Sequence, residues 1–197
     1  MSGFRYPRVG GDGMIFREDF ISSATVAGNG GVATGSPFVS QSGIVPTDTS
    51  RITYPDDSKL FCPSLTIVAT CVVRAAVAAY RPILWVGGSA KRFVFGLNTG
   101  DNKLFWDDAT AVRASTTEAT TGLVTLALTC DGATATYYCN GASLGSGTGL
   151  FAATTGSRSI VLGNLADGSL PYGGLIKQVR VYNKILSAAD ILEDYRS

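Results

Sequence analysis

No histidine occurs anywhere in the 197 residues. Its absence removes the usual Ser-His and Cys-His nucleophile systems and the commonest metal ligand at one stroke. Glutamate is nearly as scarce, with only Glu18, Glu118 and Glu193 in the chain. Charged residues of any kind make up 16%, with a formal net charge of +1. So weak a field cannot gather phosphates, which excludes nucleic acid as the partner of a basic surface. Long hydrophobic runs are missing too: the most apolar stretch, residues 65–80, is interrupted by Arg74 and falls short of the roughly 20 residues of a spanning helix. No membrane anchor is expected. Residues 1–13 (MSGFRYPRVGGDG) carry arginines, a proline and glycines where a secretory signal has its apolar core, so synthesis for the cytoplasm, or export without signal cleavage, is expected. Cys62, Cys71, Cys130 and Cys139 form no CxxC pair; they could pair in several ways or not at all, and free buried thiols acting as small hydrophobes are the expected state.

What the chain does have is a 45% hydrophobic composition, 24 glycines and abundant Thr and Ala. That mixture predicts one all-β domain of short strands and tight turns. Apolar or β-branched runs bounded by Gly, Pro, Asn or Asp predict strands at 51–54, 65–74, 83–86, 93–97, 103–106, 123–130, 133–139, 159–162 and 175–182. Asp131-Gly132 predicts a hairpin with both turn positions at positive φ. Asn140-Gly141 closes the returning strand, and the small residues at 142–149 predict a loop. In GLIKQVRVY, Ile176 is out of phase with Val179 and Val181, so a β-bulge after Ile176 is expected to turn it inward. Ser187 with Asp190 predicts a capping box for a short closing helix over 187–195.

The first fifty residues read differently. Residues 22–50 are dominated by Gly, Ser, Thr, Ala and Val, with no charge before Asp48, and have little to bury alone. Residues 14–21 (MIFREDFI) form a possible first strand. The segment 1–50 is then either an arm that orders against the domain body or a partner subunit, with Phe4, Arg5, Tyr6 and Arg8 as its assembly residues, or a flexible tail.

Over residues 123–195 the order of features is an apolar strand, an Asp-Gly turn, an aromatic strand ending in Asn-Gly, a Gly/Ser segment, SIVLGN, then a Gly before IKQVRVYNKILSAADI. This order resembles the concanavalin A-like lectin/glucanase superfamily and its laminin-G-like domains. The matching residues are Asp131, Gly132, Tyr138, Asn140, Gly141, Leu162, Gly163, Gly174, Ile176, Val179, Val181, Tyr182, Asn183, Leu186, Ser187 and Ile191. The resemblance implies an all-β, two-sheet antiparallel jelly-roll sandwich over 51–197, with an extended N-terminal arm and a short C-terminal helix. Every matched residue has a structural reason to be there, so the motif speaks for fold far more than for function.

Members of the superfamily that cleave glucans carry a Glu-x-Asp-x-x-Glu strand. No two glutamates of this chain fall in that pattern, which implies a non-enzymatic domain. Calcium is the family's common cofactor, and Asp56-Asp57, Asp101 with Asn102, and Asp107-Asp108 are its candidate ligands here, although paired acids in turns more often solvate or cap the turn. Trp106-Asp107-Asp108 is the local cluster that combines an aromatic with hydrogen-bonding groups, and so the candidate glycan site; Trp85 is expected in the core. Two functional expectations follow. The leading one is a bacteriophage virion structural protein, decorating or cementing a capsid or tail, with its own copies and other virion subunits as partners and a trimer as the expected homo-oligomer. The alternative is a carbohydrate-binding module for cell-surface glycans.

Overall fold

The computed structural model describes residues 13–20, 22–47, 49–55, 64–76, 79–87, 92–107, 111–148 and 159–196. Two antiparallel sheets face one another, as the resemblance implies. The first is built from β1 (Met14–Glu18), β3 (Phe38–Ser40), β4 (Gly43–Val45), β6 (Leu65–Val73), β11 (Gly122–Cys130), β12 (Thr134–Cys139), β13 (Ala142–Thr148) and β15 (Ile176–Tyr182). Its order is β13-β12-β11-β6-β15-β4-β3, with β1 also on β15. The second contains β2 (Val32–Thr34), β5 (Arg51–Tyr54), β7 (Arg81–Gly87), β8 (Arg92–Leu97), β9 (Lys103–Asp107), β10 (Val112–Glu118) and β14 (Ser159–Leu162), in the order β10-β9-β8-β7-β14-β5-β2. Between the sheets lies one apolar layer that includes Ile67, Phe95, Trp106, Leu126, Tyr137 and Val179, all fully buried. Cys71, Cys130 and Cys139 are buried free thiols. Burial pushes the Cys71 thiol up to about 12, so it packs as an uncharged side chain.

The expected bulge is present. Ile176 pairs with Cys71 while Gln178 pairs with Thr70, so the register slips at Lys177. Ile176, Val179 and Val181 all reach the inter-sheet layer as a result. The expected cap is present as well: α2 (Ala188–Arg196) begins with the Ser187 N–H and hydroxyl donating to Asp190 Oδ2 at 2.9 and 2.7 Å, and the Asp190 N–H donating to Ser187 Oγ at 3.1 Å. Asn140 and Gly141 both take positive φ, 52° and 80°, the backbone that a two-residue hairpin turn requires.

Two sequence expectations need correction. The first turn is displaced by one residue: Gly132 and Ala133 occupy its centre and only Gly132 is at positive φ, while Asp131 Oδ1 accepts from the N–H of Ala133 and of Thr134. Residues 142–148, expected in a loop, form β13 instead, which the tight turn at Asn140-Gly141 returns onto β12 with one register shift between Tyr137 and Tyr138. The described part of the leading segment orders against the domain body, one of the alternatives expected for it. β1 and β4 share the free edge of β15, β2 lies on β5, and the short helix α1 (Ser23–Gly28) caps on Ser22 and buries Val26. Glu18 locks this segment down, fully buried and accepting from the Tyr54 hydroxyl at 2.6 Å, the Phe20 N–H at 2.9 Å and Asn29 Nδ2 at 3.1 Å. The assembly residues Phe4, Arg5, Tyr6 and Arg8 lie outside the described residues.

Candidate functional site

Part of the outer face of the eight-stranded sheet is covered. Val68, Ala127 and Tyr182 pack there with Leu186 and Ile191, which arrive with the turn into α2. The outer face of the seven-stranded sheet is only partly covered. Across it, partner residues run Val112, Asp107, Val94, Trp85, Val161, Thr53 and Val32. Trp85 and Val161 lie with Val94 and Phe105 in a small apolar cluster against Leu165 and Ala166, while Val94, Phe105 and Asp107 line a groove of about 190 Å³.

Sheet register makes the floor of this groove. Phe105 lies next to Gly96, and Gly96 next to Pro82. β7 carries a bulge at Ile83, which brings the Arg81 carbonyl against the position a Cβ of residue 96 would occupy. Only glycine fits there, and its missing side chain lets the Arg81-Pro82 backbone close against β8. Arg81 is itself turned inward, its Nη2 donating to Asn102 Oδ1 at 2.6 Å and to the Asp101 carbonyl at 3.3 Å. Tyr80 and Pro82, on either side of it, reach the groove, where the Tyr80 ring meets Phe105 at a centroid distance of 5.1 Å and a tilt of 57°.

The far wall is a built loop. Asn164 is fully buried, accepts from the N–H groups of Leu165 and Leu170 at 2.8 and 2.9 Å, and donates to the Ser50 carbonyl at 3.2 Å. Gly163 N–H donates to the Ile83 carbonyl at 2.9 Å, and the Tyr172 hydroxyl donates to the Val72 carbonyl at 3.0 Å. Between these anchors Asp167 Oδ1 accepts from the Ser169 hydroxyl and N–H, which hold its carboxyl below the ordinary aspartate value. The loop therefore presents Leu165 and Leu170 as a fixed wall.

The sequence cluster Trp106-Asp107-Asp108 is divided by the fold. Neighbours on a strand point to opposite faces, so Leu104 and Trp106 enter the core while Phe105 and Asp107 face the groove. Trp106 is fully buried and stacked on Phe93 at 4.7 Å, which rules it out as an exposed sugar platform. Trp85, expected in the core, is buried at 7% exposure, but in the outer-face cluster. Asp108 lies outside the described residues, as do Asp56 and Asp57. The Asn102 amide is committed to Arg81, and Asp101 Oδ1 accepts the Lys103 N–H at 3.1 Å. No cluster of three potential metal-ligating His, Cys, Asp or Glu residues occurs among the described residues. Of the described sequence candidates, Asp107 alone lines the groove. Tyr80, Leu165 and Leu170 were missed, since their segments carry no motif and meet only through the register of β7, β8, β9 and β14.

The three glutamates do not convene. Glu18 is buried on β1, Glu118 ends β10, and Glu193 is exposed on α2.

Residues 47–192 match the family model described as the concanavalin A-like lectin/glucanases superfamily. No curated protein matches the chain by sequence. Among solved structures, domain 4 of an extracellular arabinanase from Geobacillus stearothermophilus, in complex with arabinotriose, superposes with a TM-score of 0.68 at 20% identity, over 89% of this chain and 92% of that one. The CBM40 of the Ruminococcus gnavus IT-sialidase, bound to α2,3-sialyllactose, gives a TM-score of 0.55 at 20% identity over 67% and 82%. A Trypanosoma rangeli sialidase gives 0.62 at 17% identity, with 81% of this chain covering 28% of that one. At such identities the likeness is one of fold, and it agrees with the family match: the chain belongs to the concanavalin A-like lectin/glucanase superfamily.

Proposed function

We propose that this is a non-catalytic carbohydrate-binding domain and that the outer-face groove is its glycan site. The observation that carries the reading is the groove's composition: two aromatic rings and aliphatic walls around one carboxylate, Asp107. Apolar ring faces suit the C–H faces of a sugar, and a carboxylate oxygen accepts hydrogen bonds from its hydroxyls. Hydrolysis of a glycosidic bond by the common route needs two carboxyl groups flanking it. Asp107 is the sole carboxylate among the described groove residues, so the reading is binding and not cleavage. Two relatives of this fold were determined with oligosaccharides bound, which supports the same reading. The virion expectation draws no support from the fold or from these relatives.

The test is a glycan panel that includes arabinotriose and α2,3-sialyllactose, read by calorimetry or array. Tyr80 is only partly buried, so Tyr80→Ala removes a groove ring without emptying the core. It is expected to weaken binding by tenfold or more, about 1.4 kcal/mol, at unchanged thermal stability. Full affinity in this variant would refute the groove as the site.

A further inference from the structure

We infer that Arg81 is a positioning residue for glycan binding, fixing the Tyr80 ring at the groove without itself meeting the ligand. The inference rests on the glycan-binding reading and adds a residue that acts through another. It starts from a buried charge without a counter-charge. Arg81 is 5% exposed, and its partners are neutral oxygens: Nη2 donates to Asn102 Oδ1 at 2.6 Å and to the Asp101 carbonyl at 3.3 Å, and Nη1 reaches the Arg74 carbonyl at 3.5 Å. Among the described residues no carboxylate forms an ion pair with it. A buried charge held only by neutral groups is costly, and an apolar side chain of similar length would fill the space without that cost. Stability alone therefore does not account for an arginine here.

What an apolar side chain cannot do is fasten separate pieces of backbone at once. Arg74 opens the connection from β6 to β7 and Tyr80 closes it, so the guanidinium ties the start of that connection to its end. Its other support is the turn between β8 and β9, which is itself fixed. The Asn98 N–H donates to the Lys103 carbonyl at 2.8 Å, and the Ala119 N–H donates to the Asn102 carbonyl at 3.0 Å. The fork of Arg81 is anchored on a rigid base.

Tyr80 has no comparable hold of its own. Its aromatic contact is Phe105, and among the described residues no hydrogen bond secures its side chain. The direction of the ring is therefore set by the backbone that delivers it. Side chains alternate along an extended chain, so Arg81 points inward while Tyr80 and Pro82 reach the groove. Arg81 acts on both through the main chain alone.

A double-mutant cycle, titrated with arabinotriose and with α2,3-sialyllactose, tests the role. Arg81→Met is expected to weaken binding about tenfold in the wild-type background and less than about twofold in Tyr80→Ala, where the ring it positions is gone. General damage to the domain would weaken both backgrounds alike. The unliganded protein gives a second measurement. The NMR ring signal of Tyr80, assigned by its loss in Tyr80→Ala, is expected to shift or broaden in Arg81→Met, while those of the fully buried Tyr54 and Tyr137 stay in place. Arg81→Lys keeps the charge but not the fork, and serves both measurements if Arg81→Met does not fold. Its expected loss is about threefold, again vanishing without Tyr80. No loss in the wild-type background, equal losses in both backgrounds, or an unmoved Tyr80 ring signal overturns the positioning role and leaves the glycan-binding reading standing. Full affinity in Tyr80→Ala, or silence of the wild type towards both sugars, removes that reading and this inference together.

Discussion

The two outer faces of the sandwich pose the same problem and solve it differently. Each carries apolar side chains that a sheet cannot leave wholly to water. On the eight-stranded sheet the chain's last turn and helix α2 lay Leu186 and Ile191 over Val68, Ala127 and Tyr182. On the seven-stranded sheet the cover is the loop between β14 and β15, whose Leu165 and Ala166 pack with Tyr80 on the cluster of Trp85, Val94, Phe105 and Val161 and leave a groove open between Leu165, Leu170, Asp107 and Val112. A helix end can be capped locally and lays its side chains over the middle of its face, while a loop built on one buried asparagine covers only what lies within its reach. The gap this cover leaves is the groove.

Both faces rest on the inter-sheet layer, and the largest expected effect comes from damaging it. Trp106 is fully buried and stacked on Phe93, so Trp106→Ala is expected to lose about 3–5 kcal/mol of stability, measured by urea unfolding. Both faces would loosen together. A variant that unfolds like the wild type but fails to bind sugar would restore Trp106 to the surface and undo the division of the cluster.

A smaller and one-sided effect is expected at Asn164. Asn164→Ala strips the acceptor from the N–H groups of Leu165 and Leu170, a loss of about 1–3 kcal/mol. Glycan affinity should fall with it, since the wall loses its shape, while the helix-covered face is untouched. If stability drops and affinity does not, the wall is packing and not part of the site.

How legible this was depends on the range of the interaction that decides each feature. The bulge after Ile176, the Ser187-Asp190 box and the Asn140-Gly141 turn are settled within a few residues, and the sequence carries them openly. β10 has no apolar alternation, and its one buried strand residue is Ser115, whose Oγ accepts the Leu104 N–H at 3.1 Å; pairing with β9 makes it a strand, and composition hides that. β2, β3 and β4 have three residues each, too few to show alternation, and are defined by pairing with β5, β4 and β15 respectively. The groove shows both cases at once. Alternation along KLFWD already forbids Trp106 and Asp107 a common face, a signal present in the sequence and passed over by reading the two as neighbours. Tyr80, Gly96 and Leu165, by contrast, come together only once three strands are in register and a loop has closed on Asn164.

The smallest expected effect belongs to the helix side, and it separates the two covers most cleanly. Ser187→Ala removes the oxygen that accepts the Asp190 N–H and is expected to lose about 1 kcal/mol, with no change in glycan affinity. Its dependence on pH follows from Asp190. The Ser187 hydroxyl and N–H hold that carboxyl below the ordinary 3.8, so the folded state favours the charged form. The contribution is present in full above the unfolded value and is lost as the pH falls through the lower folded value. The gap in unfolding free energy between wild type and Ser187→Ala should therefore stay constant at neutral pH and shrink in acid below about 3.8. A gap that persists unchanged through that window would mean the box is not what starts α2, and that the helix is held on its sheet by Ile191 alone.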